Sequence, residues 1–216
     1  MHISDTFTIS NYPEKIELKQ KKSKPSSISF EYEKEKHAAE ITASRLHQIH
    51  RANFVTLKDK NGNEVKAILI HNKKSKSMYL MRGEDVLGGA LYSITNAPIK
   101  GNNYPDYYKN QKYLFINQIY SHKKYKGIGT ELIKKLVQES KKQGCEGRIC
   151  LNTTTTKPEK GSPIPFYYKL GFEASNKQKH EEIKKALESG KKIPASCESV
   201  TLFLPENAIK RLSCAS

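Results

Sequence analysis

The chain has 216 residues, a formal net charge of +16 and a hydrophobic fraction of 36%. This length fits one substantial domain and is short for two. No apolar stretch reaches the roughly 18 residues that a membrane-spanning helix needs, and the N-terminus lacks the apolar segment of a secretory signal. We therefore expect a soluble, cytoplasmic protein with no membrane partner.

The positive charge comes almost entirely from lysine, since only five residues are arginine. Such a charge attracts anionic partners, including CoA, nucleic acid and acidic protein surfaces. Interfaces that read bases or grip phosphates usually rely on arginine. We therefore interpret most of the lysines as solvated surface, while nucleic acid remains a possible partner.

The chain begins with a polar, non-periodic segment, residues 1–27, which predicts a flexible or irregular N-terminal arm. A short strand at 28–32 and an amphipathic helix at 34–50 follow it. Apolar runs separated by turn residues then predict two successive hairpins. Their strands are expected at 54–57, 65–70, 77–81 and 86–94.

A polar loop at 96–112 divides the chain. Its length suggests a function, because long loops in compact domains are often functional. Beyond it, helical and strand-like patterns alternate. We expect strands at 113–120, 148–154 and 199–204, and helices at 128–143, 165–170 and about 176–190. The pattern is typical of an α+β fold with a mixed, mostly antiparallel sheet of about six or seven strands flanked by helices. Residues 28–216 are expected to form one domain, in which the charged helix at about 176–190 is an insertion.

Cysteine and histidine spacing argues against a metal site. The four cysteines, at 145, 150, 197 and 214, match neither a zinc knuckle nor a compact disulfide framework. His47 and His50 share a predicted helix, but no third ligand follows at a suitable spacing. We expect reduced thiols and no bound metal.

The sharpest chemical signal lies in the run 119–132. A strand ends, a turn containing Lys124, Lys126, Gly127 and Gly129 follows, and an amphipathic helix begins at once. The first turn of a helix has unpaired N–H groups and a positive dipole end, and glycine lets a phosphate approach the backbone closely. The segment therefore predicts a diphosphate cradle, with a plain strand-to-helix turn as the alternative.

Two well-known nucleotide motifs do not fit this segment. A P-loop needs GxxxxGK followed by Ser or Thr, and that pattern is absent. The dinucleotide pattern GxGxxG fails because its last position is Leu132.

A second motif, FYYKLGF at 166–172, follows the cradle after one helix and one strand. Together with KYKGIG at 124–129, it resembles the two sequence marks of the GNAT superfamily of acyl-CoA N-acyltransferases. Those marks are an Arg/Gln-x-x-Gly-x-Gly/Ala turn entering a helix and a later Phe/Leu-Tyr-x-x-x-Gly-Phe segment. The resemblance covers about residues 54–204 and implies a GNAT-like sheet that is splayed at its central parallel pair of strands.

The resemblance also implies a reaction and a set of residues. The chain would move an acetyl or other acyl group from acetyl-CoA, or another acyl-CoA, to a primary amine. Tyr167 matches the family tyrosine that commonly protonates the departing CoA thiolate, although a tyrosine there also packs a short helix against a sheet. Backbone N–H groups of the turn would bind the CoA diphosphate, and the preceding strand would pair with the pantetheine amides. The implied cofactor contacts are Ile119, Ser121, Lys124, Tyr125, Lys126, Gly127, Ile128, Gly129, Thr130 and Asn152.

The sequence departs from the family pattern at three points. Lys124 replaces the usual Arg or Gln, and Tyr125 stands where many members have another glycine. The strand at 113–121 lacks the carboxylate that often serves as general base. Asn117 or Gln118 holding a water, or His122 itself, would have to remove the amine proton, and the base stays unassigned.

The acceptor is also open. In this family, segments equivalent to 34–50 and 173–198 shape the acceptor pocket, and the acceptor amine belongs to a small molecule, a protein lysine or N-terminus, or an aminoacyl-tRNA. The charged helix and the 96–112 loop would narrow that pocket, face a macromolecule or form a solvated cap. Two other functions compete: a basic nucleic-acid-binding protein, which lacks a zinc finger or RNP-like motif, and a non-catalytic acyl-CoA sensor.

Overall fold

A computed structural model describes residues 53–121, 125–153 and 162–214. The predicted arm at 1–27, strand at 28–32 and helix at 34–50 lie outside these residues. The described part contains nine strands and four α-helices.

All nine strands form one sheet in the order β6-β1-β2-β3-β4-β5-β7-β9-β8. Neighbouring strands are antiparallel except β5 and β7, which are parallel. The predicted α+β class and mostly antiparallel sheet are therefore confirmed. The strands are β1 Asn53–Asp59, β2 Glu64–Asn72, β3 Ser77–Arg82, β4 Asp85–Thr95, β5 Tyr113–Ser121, β6 Tyr125–Lys126, β7 Ile149–Thr153, β8 Glu173–Ala174 and β9 Val200–Phe203.

Seven of these strands match predicted ones, with ends within two residues of the expected bounds. The other two, β6 and β8, contain two residues each, too few to produce a periodic pattern.

Three of the four helices also match the sequence analysis. The helices are α1 Ile128–Lys142, α2 Ile164–Leu170, α3 Lys177–Glu188 and α4 Glu206–Cys214. The sequence analysis missed α4 and ended at the strand before Pro205. Ala208, Ile209 and Leu212 are the buried residues of this helix. Their helical spacing was the available signal, but it extends over little more than one turn.

The central parallel pair separates after a short stretch. Residues 114–116 of β5 pair with 149–151 of β7, and no pairing continues beyond Ile116 and Leu151. On its other side, β5 pairs with β4 as far as Ser121, with a register shift that leaves Asn117 as an extra residue. Such a bulge bends its strand and increases the local twist. The expected splay at the parallel pair is confirmed.

Helix α1 lies on one face of this sheet and is fixed there along its length. Its apolar stripe, Leu132, Ile133, Leu136 and Val137, is fully buried. Near its C-terminal end, the buried Glu139 carboxylate accepts hydrogen bonds from the Tyr92 hydroxyl at 3.3 Å and from Gln143 Nε2 at 2.7 Å. A buried carboxylate is tolerated only with such partners, so these contacts define where α1 sits on β4.

Candidate active site

The beginning of α1 is open to a ligand. Gly127, the residue before the helix, has φ 86°, in the left-handed region, and a Cβ added there would meet nothing within 4 Å. The first helical hydrogen bond runs from Glu131 N–H to the Gly127 carbonyl at 2.9 Å. The amides of residues 128–130 precede this bond and so have no intrahelical acceptor. The N-cap residue, Gly127, supplies no side-chain hydrogen bond to them.

Close packing against β4 places this helix start beside the end of β5. A Cβ added to Gly88 would lie 2.5 Å from Ile128 Cγ2 and 2.7 Å from the Tyr120 carbonyl oxygen. Gly88 itself pairs with Ser121, the last residue of β5. The sequence analysis missed Gly88; its signal was a glycine inside a predicted strand, which marks a close approach.

The FYYKLGF segment lies against the same helix start. A Cβ on Gly129 would be 2.8 Å from Phe166 Cζ, so the Phe166 ring contacts the first turn of α1. The Tyr167 ring packs edge-on against Phe166 and Phe172, at centroid distances of 5.1 and 5.5 Å. The two sequence motifs, which are about 40 residues apart in the chain, are therefore neighbours in space.

Tyr167 is enclosed by apolar neighbours. Its side chain is 6% exposed, and none of the described residues hydrogen-bonds to its hydroxyl. Burial disfavours the charged phenolate and raises the pKa of Tyr167 to about 12. The phenol is therefore protonated throughout the physiological pH range.

Three of the implied contact residues border the gap between β5 and β7. Ile119 and Ser121 pair with Ala90 and Gly88 of β4, whereas no strand within residues 53–121, 125–153 and 162–214 pairs with their β7 side. Across the gap, Asn152 follows the last β5–β7 pair. Its side chain is exposed, and its Oδ1 accepts a hydrogen bond from Thr201 Oγ1 at 2.8 Å.

The other predicted residues have different surroundings. The Tyr125 ring is buried in the core, where its hydroxyl accepts a hydrogen bond from Arg82 Nη1 at 3.2 Å, and the residue pairs with Asp59 of β1, so its side chain is directed away from a ligand. Lys126 is exposed. Asn117 is exposed at the bulge and Gln118 is half-buried. Lys124 and His122 lie outside the described residues.

The 96–112 loop does not reach this gap. The Tyr108 hydroxyl accepts from Ile149 N–H and donates to the Leu204 carbonyl, both at 2.9 Å, so the loop packs at the start of β7 and the end of β9. A cavity of about 670 Å³ lies there as well, lined by loop residues including Tyr104 and by Phe203 and Glu206. None of the residues that line it belongs to the predicted site.

Metal-binding and membrane-spanning features were also sought in residues 53–121, 125–153 and 162–214. No group of three His, Cys, Asp or Glu side chains in these segments is placed to hold a metal ion. None of the helices there combines the length and apolar character needed to cross a bilayer.

Comparison with known families gives a direct match. Residues 43–172, more than half of the chain, match the sequence model of the Acetyltransferase (GNAT) family. The chain belongs to this family. The match confirms the GNAT resemblance and includes both the cradle and the Tyr167 segment. No curated protein sequence matches the chain.

Three solved structures are among those that match the chain in a structural comparison. Arabidopsis thaliana Naa50, in complex with a bisubstrate analogue, has 16% identity and a TM-score of 0.37, over 63% of this chain and 82% of that one. Neisseria gonorrhoeae N-acetylglutamate synthase, complexed with coenzyme A and N-acetyl-glutamate, has 11% identity and a TM-score of 0.37, over 78% of this chain and 32% of that one. The Bacillus subtilis N-acetyltransferase YlbP, in complex with coenzyme A, has 12% identity and a TM-score of 0.38, over 80% of this chain and 91% of that one.

The contact between Gly88 and Ile128 leads to a test of how α1 is positioned. Gly88→Ala is expected to displace the start of α1, because its methyl group has no room beside Ile128 and the Tyr120 carbonyl. Overpacking of this kind costs about 1–3 kcal/mol of unfolding free energy. We expect acetyl-CoA affinity, measured by calorimetry, to fall at least roughly tenfold, the equivalent of about 1.4 kcal/mol.

The matched control is Gly89→Ala, one residue along the same strand. A methyl group there would meet the Tyr79 ring at 2.6 Å and would not meet α1. This variant should lose stability while keeping its acetyl-CoA affinity. Equal loss of affinity in both variants would show that Gly88 acts through general stability alone.

Proposed function

We propose that this protein transfers an acetyl or other acyl group from an acyl-CoA, with acetyl-CoA as the donor to test first, to a primary amine. One observation carries the proposal: the first turn of α1 lies beside the end of β5, where the β5–β7 pairing has stopped, and the segment that carries Tyr167 packs on that turn through Phe166. Membership of the acetyltransferase family supports the same conclusion.

The groups around the gap fit the parts of CoA. A diphosphate is favoured at the amides of residues 128–130 by their free N–H groups and by the helix dipole. Gly127 leaves the approach open, and exposed Lys126 adds positive charge next to it. The free N–H and C=O groups of Ile119 and Ser121 are suited to the pantetheine amides, as an added strand would be. When bound, CoA supplies the thioester carbonyl that the amine attacks.

Tyr167 is proposed to stabilise the leaving thiolate. Its phenol has a pKa of about 12, whereas a thiol has a pKa of about 8.5. Because the phenol is the weaker acid, we infer that it acts mainly by donating a hydrogen bond to the developing thiolate, with little net proton transfer. Its lack of a partner among the described residues leaves that hydrogen bond available.

For the acceptor, the amine must be neutral when it attacks. The strand β5 carries no carboxylate. The bulge at Asn117 places an exposed amide side chain at the separation point, where it can hold a water that accepts the amine proton. The proposed general base is a water held by Asn117 or by half-buried Gln118, or the side chain of His122.

The region proposed to select the acceptor includes α3. The hydroxyl of Tyr168, the neighbour of Tyr167, lies 3.2 Å from His180 Nδ1 of α3, and the two rings stack at 5.8 Å. The charged helix is thus attached to the helix that carries the proposed catalytic residue. We propose that α3 shapes access for an amine on a small molecule, a protein or an aminoacyl-tRNA.

The cradle can be tested with two substitutions of equal size at Gly127. Gly127→Asp and Gly127→Asn both place a side chain in open space and both bear the same backbone cost, because Asp and Asn tolerate the left-handed region similarly. Both also cap a helix well. Only aspartate repels a diphosphate, so it should weaken acetyl-CoA binding about tenfold or more relative to asparagine.

Thermal unfolding with and without acetyl-CoA is the measurement for this pair. A ligand at about 100 times its Kd adds roughly 2.7 kcal/mol to the native state, and Gly127→Asn should retain most of that shift. Equal shifts in the two variants would exclude the α1 start as the diphosphate site.

Tyr167→Phe tests the proposed role in catalysis. Removal of a hydrogen bond to a charged group costs about 1.5–3 kcal/mol, so kcat should fall roughly 10- to 100-fold with little change in acetyl-CoA affinity. Because the pKa of Tyr167 is about 12, the ratio of the wild-type kcat to the Tyr167→Phe kcat should stay constant between about pH 7 and 9. The assay follows thiol release with a panel of primary amines.

Tyr168→Phe is the control, since it removes a neighbouring hydroxyl that contacts His180. It should retain the wild-type rate at saturating amine, and any effect should fall on the KM for the amine, because the contact with His180 belongs to the region proposed to select the acceptor. An undiminished rate in Tyr167→Phe would assign that ring to packing, and binding without any turnover in the wild type would favour a sensor.

A further inference from the structure

Strand pairing at the edge of the sheet places two lysines opposite each other. Lys58 of β1 and Lys126 of β6 are register partners in an antiparallel pair, and both side chains are exposed. Side chains at directly opposite positions have Cβ atoms about 4.5–5.5 Å apart, and like charges there are destabilising. An anion between the two lysines would remove that repulsion.

Nearby carboxylates offset the charge of this pair only in part. Asp59 accepts hydrogen bonds from the amides of Asn61 and Asn63, at 2.8 and 2.9 Å, so its carboxylate is used by its own turn. Glu64 is the register partner of Lys58 on its other side. Even so, no ion pair to Lys58 or Lys126 occurs among residues 53–121, 125–153 and 162–214.

The pair is also next to the open end of α1. Lys126 directly precedes Gly127, whose neighbours supply the free amides proposed for the diphosphate. An anion held by the two lysines would therefore lie beside the diphosphate and would be a different group of the same ligand. A phosphomonoester carries a charge of about −1.5 to −2 at neutral pH, which matches two ammonium groups.

We propose that Lys58 and Lys126 form a second anion subsite, which binds the phosphomonoester on the ribose of acyl-CoA, its 3′-phosphate. This inference rests on the proposed function and extends the cofactor site to β1, a strand that is not next to β5 in the sheet. The subsite would favour acyl-CoA over donors that carry the same diphosphate and pantetheine without the ribose phosphate.

The test compares acetyl-CoA with 3′-dephospho-acetyl-CoA by calorimetry, on the full chain and at fixed ionic strength. Wild-type protein should prefer acetyl-CoA by about tenfold or more, as expected for charge-assisted contacts. In Lys58→Met this preference should fall severalfold, while affinity for the dephospho compound stays nearly unchanged. The variant should melt near the wild-type temperature, because it loses both the repulsion of Lys126 and the attraction of its other register partner, Glu64.

Lys66→Met is the matched control. Lys66 is exposed on the same face of the sheet, opposite Thr56, and its removal changes the net charge equally. It should keep the wild-type preference. The subsite is excluded if Lys58→Met weakens both compounds equally, if it leaves the preference intact, or if Lys66→Met has the same effect. A wild type that binds neither compound would contradict the proposed function itself, and the subsite with it.

Discussion

The two central parallel strands stay paired for only three residue pairs, and the backbone groups of β5 beyond Ile116 face a gap. Backbone N–H and C=O groups need partners, from protein, water or ligand. The bulge at Asn117 helps to turn β5 away from β7, and the close contact of Gly88 with Ile128 places an uncapped helix start at the end of the same strand. Backbone donors of a strand edge and of a helix terminus, for which the described residues supply no partner, thus lie close together, which suits a ligand with both amides and phosphates.

Local patterns in the sequence were sufficient for most of the fold. Apolar periodicity located seven of the strands and three of the helices, because each of those elements buries one regular face. The short strands β6 and β8 were missed because two residues leave almost no periodic signal. The helix α4 was missed because its buried residues extend over little more than one turn. The splay at the parallel pair was expected only through the family resemblance, because a missing hydrogen bond leaves no pattern in composition.

Part of the candidate site was also predictable from local sequence patterns. Glycines and lysines in the turn pointed to an anion site, since their chemistry is local. The direction of the Tyr125 side chain was not predictable, because it depends on packing against Arg82, 43 residues away. The roles of Gly88 and Phe166 also come from contacts between distant segments. The position of the long loop at 96–112 was not predictable either, because it depends on the Tyr108 hydroxyl, which packs between the start of β7 and the end of β9.

The central claim is that the first turn of α1 and the free edge of β5 form one cofactor cleft. Amide-resolved NMR of the protein titrated with acetyl-CoA tests it most directly. The account predicts that the largest shift changes fall on the amides of residues 127–130 and 117–121, with small changes around Tyr104 at the far end of β9. Changes concentrated at the cavity beside Tyr104, or spread over exposed lysines without a maximum at α1, would contradict it.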